Sequence, residues 1–527
     1  MFDVIIKNGL VADGITDSLI SADVAINSDR IAVVEPNIDP DRGKKIIEAK
    51  GMIVAPGFVD VHSHSDYYLI IDQRAESKLM QGVTTEVGGN CGYAAAPMSG
   101  NLLERRVRDY QHQFGIDVKW TDLESYFNEL KNHGLAVNFA ALLGYNTIRG
   151  SVIGENSHQP DKKSMDALCK MTACGLSQGA VGMSLGVVYP PACFAKESEF
   201  IKVFKEVAKQ DKVLTAHIRS EGAKLLEALT EIVNVAKGSG SKLQISHLKT
   251  AGKENWSKLD AALEILESGM EDGLEIMADR YPYIASNTGL QVVLPDCAFT
   301  GGRDQLMADL LDKNKRKEFK EKILQAHPDP EYWNTVMISQ VVTQNNLDVE
   351  GLSVSQGADA RGKDVFDFTF DLLIEEKSNV EAIFFCMNEK NLERILLKPW
   401  VSIGSDSGAR AIDGPLAMGR PHPRTFGTFP RFFAEFVRRK KLFTIPEAVQ
   451  KTSYNPAQFF GISKRGRITP NWYADIVIFN PNTVEDTSTY LKPFSYPIGI
   501  EHVFVNGTQA ISHGKPTGTK SGSIITS

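Results

Sequence analysis

The sequence lacks the features that mark several large classes of protein. It has no run of about 18 apolar residues, the length that a membrane-spanning helix needs. Its N-terminus has no basic region followed by an apolar stretch and a small-residue cleavage site, so no signal peptide is expected. The net charge is −7 and no strongly basic segment occurs, which argues against a nucleic-acid partner.

Cysteine is also scarce for a chain of this length. The 527 residues contain six cysteines, which are Cys91, Cys169, Cys174, Cys193, Cys297 and Cys386. Cysteines scattered in this way do not form a disulfide framework. We therefore expect a reduced, cytoplasmic protein in which five of the six are small core residues. Cys91 is the exception, because it lies in a glycine-rich motif described below.

Hydrophobic residues make up 42% of the chain and charged residues 23%, which is ordinary for a globular protein with a large core. Both ends of the chain carry short apolar runs that end in turn signals, such as "FDVIIKNG" and "EHVFVNG". Short strands separated by turns at both ends predict one small β-sandwich domain built from residues 1–56 and 463–527. Residues 57–462 would then form a separate, larger unit.

That larger unit alternates apolar strands with amphipathic helices, as βα units around a parallel sheet do. Helices are predicted over residues 122–132 and 223–237. Eight strand candidates match the number in a (β/α)₈ barrel; they are residues 57–62, 84–88, 137–143, 180–185, 213–217, 243–247, 275–280 and 401–405. A ninth apolar run at 382–386 means that one of the nine lies outside the barrel. The charged stretch at about 294–350 lacks this alternation of strands and helices, and it is predicted to be an insertion late in the barrel.

Two histidines close the first barrel strand in the motif "APGFVDVHSHSD". Residues two apart on a strand point to the same face, so His62 and His64 can converge on one point. A single buried histidine is more often a core residue than a ligand, but this pair before an aspartate predicts metal ligation.

Three further side chains of metal-binding type end other strand candidates. They are His217 in "LTAHIRSEG", His247 in "LQISHLK" and Asp406 in "VSIGSDSG". The carboxyl ends of all the strands of an α/β barrel open onto one face, which carries the active site. Four histidines and one aspartate are therefore predicted to share one pocket.

This arrangement resembles the amidohydrolase superfamily. Many of its members carry a carboxylated lysine on the fourth strand, but the fourth candidate here, "AVGMSLGVVYPP", offers no lysine. Instead, "GGNCGYAAAP" places Cys91 after the second strand, which resembles the N-acyl-D-amino-acid deacylase branch, in which a cysteine thiolate bridges the metal site. Further segments, among them "ISHLKTAGKENW", "ADRYPYIASNTGL" and "PHPRTFGTFPRFF", resemble that branch in the same order.

The resemblance implies a zinc hydrolase of linear amides. Cys91, His217 and His247 would hold one zinc ion tightly, and a second, weaker divalent site would use His62, His64, Cys91 and Asp406. Asp406 would act as general base and then as general acid. The implied contacts to a small N-acylated amino acid are Tyr189, Lys249, Tyr283 and Arg424. Arg219 and Glu221 would form an ion pair that orients a ligand.

The sequence departs from this branch in places that bear on the substrate. Tyr145 and the pair Ser286-Asn287 stand where His and Gly-Ser are common. The loop at 407–424 is long and carries Arg410 and Arg420, which would suit an acidic side chain or a larger substrate.

Alternative functions therefore stay open. One is hydrolysis of another C–N bond, in a dipeptide with a C-terminal D-residue or in a cyclic amide. A non-catalytic binding protein of the same fold is disfavoured, because all six metal-ligand residues are present. The sequence does not indicate an oligomeric state.

Overall fold

Eight parallel strands form the centre of the molecule in the computed structural model, which describes residues 1–526. In chain order they are β1 (Phe58–Asp60), β2 (Val83–Gly88), β3 (Asn138–Gly144), β4 (Gly182–Gly186), β5 (Val213–His217), β6 (Lys242–Ile245), β7 (Ile276–Arg280) and β8 (Val401–Ile403). Each strand pairs in parallel with the next along the chain. The predicted (β/α)₈ barrel is confirmed.

The barrel closes just beyond the carboxyl ends of β1 and β8. A parallel bridge joins Ser63 to Ser407. The Asp406 amide donates to the carbonyl of His62 at 2.8 Å, and the His64 amide donates to the carbonyl of Ser407 at 3.3 Å. The main-chain contacts that close the barrel between β1 and β8 are therefore made by the predicted metal ligands and their neighbours.

Helices connect the barrel strands and cover their outer face. Asp122 caps the helix Leu123–His133 with a reciprocal side-chain bond to Ser125, which explains the predicted helix start there. No helix among residues 1–526 is both long and apolar enough to cross a bilayer. The barrel helices are Tyr68–Ile71, Glu76–Leu79, Gly100–Phe114, Leu123–His133, Tyr145–Val152, Lys162–Ser177, Glu197–Ala208, Leu225–Ser239, Leu259–Glu271, Glu389–Leu396, Arg424–Arg431, Ile445–Val449 and Asn455–Phe459, with π-helical turns at Phe432–Arg439 and Gln450–Tyr454.

Both ends of the chain contribute strands to a second sheet of nine strands. The strand at 53–56 pairs with Ile476–Phe479, so the two ends join through main-chain hydrogen bonds. The strands of this sheet are Phe2–Val11, Ile20–Asn27, Arg30–Glu35, Gly43–Glu48, Ile53–Pro56, Ile476–Phe479, Ile500–Val505, Thr508–Ser512 and Lys515–Pro516. Ile524–Ile525 instead pairs with β3 on the barrel. The domain boundaries drawn from the sequence stay predictions.

A segment between β7 and β8 has its own small sheet and its own apolar core, which includes Leu290, Trp333 and Phe384. The sheet is antiparallel, with Glu381–Phe384 between Ser286–Gly289 and Val336–Gln340. The ninth apolar run of the sequence is thus the strand outside the barrel. The helices of this segment are Gly302–Leu311, Lys313–Ala326, Val354–Ala360 and Val365–Glu375.

Candidate metal centre

The six predicted metal ligands meet at the carboxyl end of the barrel. They form two groups that share Cys91, and within each group the ligand atoms lie within 4.8 Å of one another. The first group is His62, His64, Cys91 and Asp406, and the second is Cys91, His217 and His247. The structure therefore supports the two ligand sets implied by the sequence, with the cysteine as the shared donor.

The Cys91 sulfur lies between imidazoles from both groups. Its Sγ is 3.3 Å from Nε2 of His62 and 3.5 Å from Nε2 of His247. Burial by itself would raise the pKa of this thiol, but the positive charges of His62 and His247 hold the pKa well below its usual value. A thiolate with two imidazoles is a donor set that favours zinc. The residues present therefore fit zinc, and the carboxylate-containing group can hold a second divalent ion.

Three of these ligands occupy a strained backbone conformation. Cys91, His247 and Asp406 have φ angles of 54°, 37° and 52°, in the left-handed region that residues with a Cβ rarely adopt. Such strain costs about 1–3 kcal/mol for each residue and is stored mostly at functional sites. Main-chain hydrogen bonds hold two of them in place, from the His247 amide to Asp279 and from the Asp406 amide to His62.

The turn that carries Cys91 is closely packed against the end of β4. A Cβ on Gly92 would lie 1.9 Å from Oδ1 of Asn146, and one on Gly186 would lie 2.1 Å from the Cys91 carbonyl oxygen. Gly92 also has a φ of 82°. The glycines of this motif thus permit the close approach that places the cysteine sulfur in the pocket.

The Asp406 carboxylate is placed between the first ligand group and a buried arginine. Its Oδ1 lies 3.0 Å from Nε2 of His64 and 3.4 Å from Nε2 of His62. Its Oδ2 lies 2.9 Å from Nη1 of Arg424. Burial would raise the pKa of the Asp406 carboxyl, but Arg424, His62 and His247 hold it well below its usual range. Asp406 is therefore an ionised carboxylate beside the first ligand group.

Asp279 is a site residue that the sequence analysis missed. It lies on β7, and its carboxylate accepts from Nδ1 of His62 at 3.0 Å and from the amide of His247 at 3.0 Å. One buried carboxylate thus orients a ligand in each of the two groups. An aspartate near the end of the apolar strand in "EIMADRYPY" was the available signal.

We expect Asp279→Asn to weaken zinc binding by about 10- to 100-fold, because an amide oxygen is a weaker acceptor than a carboxylate for both the His62 ring and the His247 amide, so a ligand in each group loses its orientation. Competition with a chelator of known affinity measures this change. Asp272→Asn, which alters an exposed carboxylate paired with Lys237, is the matched control. Equal zinc affinity in the Asp279 variant and the wild type would contradict the orienting role.

Glu221 and Lys249 form a buried network with His247. Nζ of Lys249 lies 2.8 Å from Nδ1 of His247 and donates to the Glu221 carboxylate. Glu221 also lies 2.9 Å from Nδ1 of His247. These contacts hold the ring of His247 in place, as predicted for Glu221, and Glu221 takes only one of the three N–H donors of Lys249.

The predicted ion pair between Arg219 and Glu221 is wrong. Arg219 pairs with Glu231 on the helix Leu225–Ser239, with N–O distances of 2.9 and 2.8 Å, and donates to the carbonyls of Cys193 and Ala195. The chain leaves the strand direction after His217, so Arg219 turns toward that helix rather than toward the ligand.

The two predicted tyrosine contacts differ in position. The Tyr189 ring lies edge-on to His217, with centroids 4.9 Å apart, and its hydroxyl hydrogen-bonds to Thr288. Tyr189 therefore borders the second ligand group. The Tyr283 hydroxyl donates to Asp486 at 3.2 Å, and its ring packs against His422. These contacts direct the Tyr283 hydroxyl toward the C-terminal part of the chain.

Known proteins resemble this chain over nearly its whole length. The model of the amidohydrolase family matches residues 53–510. The chain belongs to the amidohydrolase family. It is 31% identical to an N-acyl-D-glutamate deacylase of Alcaligenes xylosoxydans xylosoxydans, over 98% of this chain and 95% of the relative. It is 29% identical to the D-aminoacylase of the same organism, over 99% and 97%.

A solved structure agrees with these sequence matches. The N-acyl-D-glutamate deacylase of Bordetella bronchiseptica, complexed with zinc and a phosphonate inhibitor, superimposes with a TM-score of 0.83 at 28% identity, over all of both chains. The predicted resemblance to the N-acyl-D-amino-acid deacylases within the amidohydrolase family is thus confirmed.

The positions that the sequence indicated as departures from the deacylase branch include Arg410, Arg420 and Tyr145, and each has a partner in the structure. Arg410 donates to the carbonyls of Leu416 and Met418, and Arg420 donates to those of Glu350 and Leu491. The guanidinium groups of both arginines thus bind main-chain carbonyls of neighbouring segments. Tyr145 donates to Glu199, so this position points to the helix Glu197–Ala208.

Proposed function

We propose that this amidohydrolase cleaves the amide bond of N-acyl-D-amino acids, releasing a carboxylate and a free D-amino acid. The observation that carries the proposal is the pair of ligand groups sharing the Cys91 thiolate, with the Asp406 carboxylate beside them. Supporting it, a D-aminoacylase and an N-acyl-D-glutamate deacylase match nearly the whole chain.

Zinc would be held by Cys91, His217 and His247, and a second, weaker ion by His62, His64, Cys91 and Asp406. When bound, zinc polarises the amide carbonyl and lowers the pKa of water from about 15.7 to about 7. The tight first site and the weak second site stay predictions.

Asp406 would move the proton in this reaction. Its low pKa keeps the carboxylate ionised, so an oxygen of Asp406 can take the proton of the attacking water. The same oxygen then gives that proton to the leaving amide nitrogen, which departs as an amine. One residue thus acts first as base and then as acid, and His64 orients its carboxylate through the 3.0 Å contact.

Arg424 would bind the α-carboxylate of the substrate. It is buried against the Tyr281 ring, with 4.6 Å from its guanidinium carbon to the ring centroid. Its Nη1 is close to Asp406 but has no hydrogen-bond acceptor in good geometry among residues 1–526. A guanidinium with free N–H donors suits a carboxylate. Lys249, beside His247, and Tyr189, beside His217, would add further contacts from the second ligand group.

A panel of paired N-acetyl-D- and N-acetyl-L-amino acids tests the proposal, with released amine and bound metal measured in one preparation. We expect hydrolysis of the D-series at least about tenfold faster than of the L-series, since reversing the α-carbon moves the carboxylate away from Arg424. Dipeptides with a C-terminal D-residue and cyclic amides belong to the same panel. Cleavage of these alone, with bound zinc, would reject the deacylase assignment and retain the metal centre.

A cytoplasmic location and the absence of a nucleic-acid partner stay predictions from composition.

A further inference from the structure

Glu381 is a carboxylate near the metal centre that the proposed reaction does not use. Its side chain is exposed, yet protein surrounds it closely enough for burial to raise its pKa. The hydrogen bond from the Asn287 amide and the positive charges of Arg410, Arg424 and His64 lower the pKa of Glu381. Glu381 is therefore an exposed carboxylate on which the charges of Arg424 and His64 act.

The small sheet of the inserted segment places Glu381 toward the barrel. Ala382 and Phe384 belong to the core of that segment, whereas Ile383 packs with Ala285 and Met337 in a different cluster. Side chains two apart on a strand share a face, so Glu381 lies on the side of Ile383, away from the segment's own core.

The neighbouring strand, Ser286–Gly289, lies over the ligand groups. Thr288 hydrogen-bonds to the hydroxyl of Tyr189, whose ring borders His217. The carbonyl of Asn287 accepts from Nη2 of Arg424 at 3.3 Å. The side chain of the same Asn287 donates to Oε2 of Glu381 at 3.0 Å. One residue therefore connects the candidate carboxylate-binding arginine to Glu381.

Most of the hydrogen-bonding capacity of Glu381 is free. Among residues 1–526, the Asn287 amide is its one hydrogen-bond donor, and no lysine, arginine or histidine nitrogen lies within 4.0 Å of its carboxylate. An ionised carboxylate has about four acceptor positions. Two other carboxylates around the centre differ in this respect, because a cationic nitrogen lies within 4.0 Å of each, from Lys249 at Glu221 and from Arg424 at Asp406.

We propose that Glu381 sets the side-chain preference of the enzyme, accepting D-residues whose side chains end in a cationic or hydrogen-bond-donating group and rejecting acidic ones. This inference rests on the proposed function and names its substrate class. Arg424 would hold the α-carboxylate, and the side chain would extend toward Glu381. Arg410 and Arg420, the arginines of the long loop, donate to main-chain carbonyls rather than standing free for an acidic side chain.

The test compares kcat/KM for Nα-acetyl-D-lysine, N-acetyl-D-methionine and N-acetyl-D-glutamate in the wild type, Glu381→Gln and Glu381→Lys. We expect the wild type to prefer the lysine over the glutamate derivative. That ratio should fall at least about tenfold in Glu381→Gln and further in Glu381→Lys, because like charges placed together cost several kcal/mol. Activity on the methionine derivative should change by no more than about twofold.

Glu331→Gln is the matched control, since it neutralises an exposed carboxylate of the same inserted segment whose side chain contacts Asn334. Wild-type preference for the glutamate derivative would overturn the inference, as would variants that change all three substrates equally. In both cases the deacylase activity itself would stand. Hydrolysis of none of the three, or of the L-forms alone, would instead reject the proposed function and the inference together.

Discussion

Replacing Cys91 with alanine is expected to abolish tight zinc binding and to lower kcat/KM by about a thousandfold or more. The sulfur lies 3.3 and 3.5 Å from imidazole nitrogens of His62 and His247, and both ligand groups share it. Its removal takes one donor from each group and leaves two imidazoles in the second. A metal contributes several kcal/mol of transition-state stabilisation, and each 1.36 kcal/mol corresponds to a factor of ten in rate.

Metal analysis of the purified variant and steady-state kinetics on the best D-substrate measure these two losses. Cys169→Ala is the control, because Cys169 is a half-buried thiol on the helix Lys162–Ser177. The control should keep its zinc and its activity. If Cys91→Ala retained wild-type zinc content, the shared-donor arrangement would be wrong. If it lost zinc but kept its rate, the metal would be structural rather than catalytic.

The second large effect is expected for Asp406→Asn, which should lower kcat by about a hundredfold to ten-thousandfold while zinc stays bound. Asparagine has the shape of aspartate but cannot take a proton at the position of Oδ1 or Oδ2. The ligand group predicted to bind zinc tightly, Cys91 with His217 and His247, does not include this residue. The loss should therefore appear in the chemical step and leave the main metal site intact.

Zinc content and kcat measured on one preparation separate these effects. Asp413→Asn, in the same loop, neutralises an exposed carboxylate that pairs with Arg74 and should leave kcat unchanged. Near-wild-type kcat in Asp406→Asn would exclude this residue as the proton carrier. Loss of zinc together with activity would instead assign Asp406 to the tight metal site.

Several parts of this protein follow from the sequence by itself. The strand period sends His62 and His64 to one face, and the rule that strand ends share one face of a barrel brings His217, His247 and Asp406 to the same pocket. Cys91 was placed by its motif and by the resemblance to a known branch. Each of these inferences needs only local direction and strand order, which a linear sequence encodes.

Tertiary structure alone decided which side chains contact one another around that pocket. Asp279 serves both His62 and His247, and Arg219 pairs with Glu231 rather than with Glu221. Two further features depended on how the segment between β7 and β8 folds: which of the nine apolar runs lay outside the barrel, and the contact of Glu381 with Asn287. These contacts are between residues far apart in the chain. The loops that bring them together have no regular period, so the sequence pattern does not predict the contacts, which form only when the strands pack.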